Sequence, residues 1–292
     1  MVGTEIEQRA PRFGGLLSSR ATDRWMALLA GASVVATALA YFLPIFQVGG
    51  FVYTIIDSFG GGRRQFVTSV VLPILLGTVA LAARRWWPTL VRAVVLAAVV
   101  MVTLTPVRHV GEALWEHEHP ERHGAPFEFG SGFVVGSVAI VLGAIVFIVL
   151  VGELLAEPPS ERDVDERVDL CAAIAGIGLL GAVVGQLAES SAERLWQLPR
   201  WPQAGHWWVL AVTTGLCGLA IWRRTPASLG AAVVVALVAA ASEALMLRVI
   251  STVEDDPSVS LTVRMVGFTV VAVALGAALA RSLHSDSVVR RA

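Results

Sequence analysis

Apolar residues in this chain fall into long uninterrupted runs, and the polar residues gather in the breaks between them. The runs are roughly twenty residues long with few or no charges, enough to cross a hydrocarbon core of about 30 Å at 1.5 Å per residue. Backbone groups in lipid must be satisfied within their own segment, so each run predicts a helix. The strict alternation of a membrane barrel strand is absent. The pattern places helices over 25–46, 66–83, 89–106, 132–155, 168–188, 206–222, 227–248 and 264–282. The fold class expected is therefore an all-α integral membrane protein with about eight transmembrane helices. The first run reads as a retained signal anchor.

The breaks have the chemistry of membrane boundaries. Arg84-Arg85-Trp86-Trp87-Pro88 and Arg223-Arg224-Thr225-Pro226 are tight basic turns, where Pro cannot continue a helix and Arg does not remain in lipid. Most of the nine Trp residues sit at the ends of runs, as in an aromatic belt. Pro73 predicts a kink within the second run.

The two halves of the pattern resemble each other. Each runs helix, loop, helix, Arg-Arg turn with Pro, Ala/Val-rich helix, longer acidic loop, helix; Leu142-Gly143-Ala144 matches Leu275-Gly276-Ala277. Four helices per half predicts repeats of parallel topology. The organisation expected is a cytoplasmic segment over 1–24, a first four-helix half over 25–156, a polar linker with Pro158-Pro159 over 157–167, a second half over 168–282 and a tail over 283–292.

Composition agrees with this picture: 55% of the 292 residues are hydrophobic, 15% are charged, and mean hydropathy is +0.70. All 22 basic residues are Arg, and Lys and Asn are absent. That bias fits a GC-rich coding sequence and a bacterial source. With the N-terminus inside, cytoplasmic segments hold 14 Arg and outer segments 8, which favours both termini in the cytoplasm of the inner membrane. A net charge of -1 gives no pull toward nucleic acid. Cys171 and Cys217 both lie inside apolar runs, which argues against a structural disulfide and gives no metal-ligand spacing.

Candidate chemistry is sparse. The loop over 108–132 holds His109, His117, His119 and His123 together with Glu112, Glu116, Glu118, Glu121 and Glu128. His and carboxylate together suit Zn²⁺ or Cu²⁺, which makes His117, His119 and His123 the candidate metal ligands. The plainer expectation for this loop is a hydrated outer segment, beginning with an interfacial helix around Val110, Ala113, Leu114 and Trp115. No resident cofactor is otherwise expected. Glu243 is the deepest carboxylate, with Arg248 and Arg264 as its candidate partners. Arg92, Glu153 and Asp169 read as interface anchors, and Gln186 as an interhelical hydrogen-bonding group. Gly132-x-x-x-Gly136 and Gly181-x-x-x-Gly185 predict close helix contacts and are candidate contacts for a partner. Gly60-Gly61-Gly62-Arg63-Arg64 lacks the Gly-Lys-Ser/Thr ending of a phosphate-binding loop.

Three functional classes follow. The first is a non-catalytic subunit or scaffold that associates with membrane lipids and other membrane-protein subunits, a homo-oligomer among them. The second is a transporter or channel component for a lipid-like or small substrate. The third is an outer-face metal-binding protein or enzyme built on the 108–132 loop.

Overall fold

The computed structural model describes residues 20–56, 88–119, 124–157, 166–192, 201–250 and 259–289. The expected helix over 66–83 with Pro73, the Gly60–Arg64 loop, the Arg84-Arg85 turn, His123 and most of the linker lie outside the described residues, as does the side chain of Arg248.

The described chain is mostly helical. Its helices are α1 (Arg20–Phe42), α2 (Pro88–Thr103), α3 (Thr105–Glu118), α4 (Ser131–Ala156), α5 (Glu166–Ala192), α6 (Trp201–Arg223), α7 (Pro226–Ile250) and α8 (Val259–Val289). Among the described residues six segments are long and apolar enough to cross a membrane: Trp25–Phe42, Thr89–Glu118, Ser131–Ala156, Val168–Ala188, Pro226–Ala244 and Val259–His284. Trp207–Arg223 is a shorter apolar helix. The architecture is that of a helical multi-pass membrane protein. α7 lies at its centre, packed against α2, α6 and α8, while α1 packs on α4 and α5 on α8.

The expected first helix over 25–46 is cut short. α1 ends at Phe42, because Pro44 has no N–H to donate and holds Leu43 away from helical geometry. The chain instead forms a three-stranded antiparallel sheet in the order β2-β1-β3, with β1 at Pro44–Val48, β2 at Phe51–Thr54 and β3 at Phe127–Phe129. Gly49 (φ 54) and Gly50 (φ 86) make the two-residue turn between the paired Val48 and Phe51. Positive φ at both positions is the type I′ requirement, which glycine meets without strain. β3 pairs with β1 through Phe46↔Phe129 and Val48↔Phe127, so the end of α1 is tied to the start of α4. Gly130 and Gly132 permit that contact: a Cβ on Gly130 would stand 2.1 Å from the Pro44 carbonyl oxygen, and one on Gly132 2.5 Å from that of Leu43.

The sheet defines one end of the bundle, called here the sheet side. The segment from Thr89 to Glu118 breaks at Leu104, where Pro106 at the head of α3 cannot supply the preceding turn with a donor. α3 occupies the stretch around Val110 where a short helix was expected, and it starts at Thr105, earlier than the sequence pattern placed it. It buries Pro106, His109, Val110 and Ala113 beneath the sheet and against α4 and α6.

On the opposite side, Thr225 caps α7 ahead of Pro226. Its Oγ1 accepts from the Ser228 N–H at 3.3 Å, and its own N–H donates to Ser228 Oγ at 3.1 Å. This reciprocal pairing, with Pro at the first helical position, is a capping box. Arg224 closes α6 in a left-handed conformation (φ 53), which residues other than Gly and Asn adopt at a cost. Its guanidinium anchors that conformation by donating to the Ile221 carbonyl at 3.2 Å and pairing with Asp169 at the start of α5.

Candidate functional site

The most enclosed charges among the described residues lie in α7 and α8, toward the sheet side. Arg264 is 1% exposed and Glu243 9%, and Arg264 Nη2 stands 3.1 Å from Glu243 Oε2. Arg264 Nη1 also donates to Gln186 Oε1. One guanidinium thus joins three helices, α5, α7 and α8. A charge so placed is tolerated only when paired and hydrogen-bonded. Glycine makes room for it: a Cβ on Gly185 would lie 2.9 Å from Arg264 Cγ and 2.9 Å from the Ser260 carbonyl oxygen. Deeper along the same interface Gly178 and Gly267 face each other, each leaving its neighbour's carbonyl within 2.8 Å of where a Cβ would sit.

A second polar cluster lies between α3 and the sheet. Glu112 Oε1 accepts from Arg108 Nε at 3.0 Å, and its Oε2 lies 3.0 Å from His109 Nδ1 and accepts from the Tyr53 hydroxyl at 3.4 Å. Glu112 therefore ties the hairpin to α3, with the His109 ring buried beneath it. Around this cluster runs a set of ring contacts: Phe46 stacks on Tyr53 and Phe127 at 4.6 and 5.4 Å, and Phe129 meets Phe133 at 4.3 Å.

The candidate metal ligands take up separate neighbours. His117 lies against the rings of Phe127 and Phe129, at 5.5 and 4.8 Å. His119 stacks on Trp115 at 4.6 Å, with its Nδ1 2.8 Å from the Trp115 carbonyl oxygen. Among the described residues no group of three or more His, Cys, Asp or Glu is placed to hold a metal ion, and His123 lies outside them.

The anchors on the opposite side are paired across helices. Arg92 at the start of α2 meets Glu153 at the end of α4, 2.9 Å from Nε to Oε2. Arg223 donates to the carbonyls of Leu155 and Glu157, satisfying the open end of α4. Of the four glycines expected to mark contacts, three make them within the chain. Gly132 meets Leu43 and Pro44, Gly136 meets Val110, Pro106 and Ala40, and Gly185 meets α8; nothing lies within 4 Å of where a Cβ on Gly181 would stand.

The depth of Arg264, named from the sequence as a candidate partner of Glu243, and the place of Tyr53 were obscured in the sequence. Arg264 looks like the first residue of the last helix, yet Ser260, Leu261, Thr262 and Val263 continue the helical turn ahead of it and carry it inward. Tyr53 belongs to a hairpin whose signal is Gly49-Gly50 between β-prone residues. Comparison with protein-family models, with characterised proteins and with solved structures finds no match to this chain.

Proposed function

We propose that this chain is a non-catalytic multi-pass subunit or scaffold of the cytoplasmic membrane, which associates with partner proteins through its exposed helix faces. The observation that carries the reading is the state of α4. It is an apolar membrane-length helix that leaves Val134, Val138, Val141, Ile145 and Ile148 exposed along one face. These β-branched side chains have little rotamer freedom to lose, which suits a packed helix interface. The charged groups inside the bundle, by contrast, engage one another across helices of the same chain.

The finer plan in this proposal has eight transmembrane helices in two parallel halves, with both termini in the cytoplasm. Three features support it. β2 leaves the chain on the sheet side and α2 resumes on the other, which is the change of side that the plan assigns to the run over 66–83. Arg92, Arg223, Arg224 and Arg281 lie on the opposite side against Arg108 and Arg264 on the sheet side, the asymmetry of a cytoplasmic and an outer face among the described residues. Aligning Pro88 with Pro226 makes Arg92 the counterpart of Gly230, and Gly230 packs between Leu90 and Val94, which straddle Arg92. Equivalent helices crossing at equivalent residues is what a two-fold axis between duplicated halves requires.

Purification in mild detergent tests the subunit reading. Other membrane proteins are expected to remain bound, and Val141→Trp with Ile145→Trp to release them while the protein stays folded. A stable monomer carrying no other chain would overturn it. A transporter or channel component for a lipid-like or small substrate is the second reading, favoured by the charged pair within the bundle and by the helix break at Leu104. On that reading Glu243→Gln abolishes flux in reconstituted vesicles.

A further inference from the structure

The membrane-length segment Thr89–Glu118 is broken at Leu104, and the break lies at mid-depth. Thr103, the last residue of α2, stands against Gly143, where a Cβ would lie 2.2 Å from the Thr103 Oγ1. Gly143 is at the centre of α4, the thirteenth of its 26 residues. Breaking the helix there frees backbone acceptors. The helical donor to the Val102 carbonyl would be residue 106, which is proline and has no N–H. Val107, the ordinary partner of the Thr103 carbonyl, donates instead to the Leu104 carbonyl at 3.2 Å. The negative end of α2 thus opens inside the bundle.

α1 turns hydroxyls toward the same level. It pairs with α4 antiparallel, Leu43 on Gly132 and Ala40 on Gly136. Ser33 lies one heptad before Ala40 on the same face of α1, as Gly143 lies one heptad after Gly136 on α4, so the register brings Ser33 to Gly143. Thr37 follows one turn later, and Tyr41 a turn beyond it stands beside Thr105 at the head of α3. Ser33, Thr37 and Thr103 are all buried. Thr37 Oγ1 donates to the Ser33 carbonyl at 2.9 Å and Thr103 Oγ1 to the Val100 carbonyl at 2.8 Å. Their protons are thereby committed, and what each hydroxyl offers a ligand is lone pairs. The Ser33 hydroxyl has no hydrogen-bond partner among the described residues, a state that a buried hydroxyl does not hold without cost. We propose that the junction of α1, α2 and α4 binds Na⁺ through the hydroxyls of Ser33, Thr37 and Thr103 and the freed carbonyls of Val102 and Thr103. The open end of a broken helix, met by hydroxyls at mid-membrane, coordinates Na⁺ by this chemistry. Neutral oxygens suit a single charge, whereas Ca²⁺ calls for carboxylates. Such a site goes beyond the subunit reading, which needs no ion.

Equilibrium binding of radiolabelled Na⁺ to the purified full chain in detergent tests the site. One Na⁺ per chain is expected, displaced by unlabelled Na⁺ and not by K⁺ at the same concentration. Thermal unfolding should shift upward in NaCl relative to equal choline chloride and saturate as Na⁺ rises, as for any ligand of the folded state. Ser33→Ala and Thr37→Val are each expected to weaken Na⁺ binding by about tenfold or more, while the unfolding temperature in choline chloride stays close to native. Thr269→Val, which removes an exposed hydroxyl on α8, should leave binding unchanged. Should Thr37→Val fail to fold, the smaller change Ser33→Ala decides. Absence of Na⁺ binding, equal displacement by K⁺, or undiminished binding in Ser33→Ala would overturn the proposal and leave water as the occupant of the junction. The readout needs no partner protein, so its failure and that of the subunit reading are distinct results.

Discussion

A guanidinium inside an apolar bundle persists only while its donors are met, so removing its partner and removing the whole pair have different consequences. Glu243→Ala strands Arg264 and is expected to destabilise the protein by about 3–5 kcal/mol. Replacing both charges, as in Arg264→Met with Glu243→Leu, should recover most of that loss, since apolar groups of similar volume often match a buried pair. Thermal unfolding in detergent, followed by tryptophan fluorescence, gives both values, and equal losses in the single and double variants would contradict the pairing. Steric limits at single residues are equally specific. Gly267→Val drives a branched side chain into the Gly178 carbonyl and the backbone of Ala182, at an expected cost of about 1–3 kcal/mol. Gly181→Val meets open space and should change stability little. Gly181 and Gly185 look alike in the sequence; which of them faces α8 depends on the rotation of α5, which residue spacing alone does not fix.

At the scale of the element, the described membrane-length helices were legible because an uninterrupted apolar run in lipid must satisfy its backbone within its own segment. Their ends were not, and the reasons are local. Leu43 to Val48 is as apolar as the helix before it, so hydropathy carried the first helix through Pro44 into what is a strand. The sheet was hidden for a related reason: each strand is too short for alternation to show, and 78 residues separate β3 from its partner. The amphipathic α3 was visible, but its bond to the hairpin through Glu112 and Tyr53 depends on a tertiary contact. Glycine at the turn is now a test of that element. Gly50→Val forces a β-branched residue to φ 86, and should fray the β1–β2 pairing by roughly 1–3 kcal/mol. Faster proteolysis within 44–54 would register it. Thr225→Ala removes the cap of α7 and should cost about 0.5–2 kcal/mol.

At the scale of the molecule, the proposed two-fold relation makes the α2–α7 crossing the place where the halves meet. Gly230→Leu would collide with Leu90 and Val94. It is expected to separate the halves while each keeps its helices, seen as retained helical circular dichroism with a lower unfolding temperature. Reporter fusions at residues 1 and 292 should both read cytoplasmic, and opposite readings would remove the eight-helix plan. The multi-pass helical character was legible because run length acts over the whole chain. The candidate site was less so, since Arg264, Glu243 and Gln186 come from three helices whose relative rotation no local pattern encodes.

The pairing of β1 with β3 also sets an order of events during synthesis. The strand that follows α1 cannot find its partner until Phe127–Phe129 has emerged on the same side of the membrane, with α2 and α3 already made. Contacts this distant in sequence form late. Until then the edge of β1 that faces away from β2 is without its β3 partner. Chains halted before residue 127 should therefore be cleared by membrane proteases, whereas chains halted just after α4 should persist.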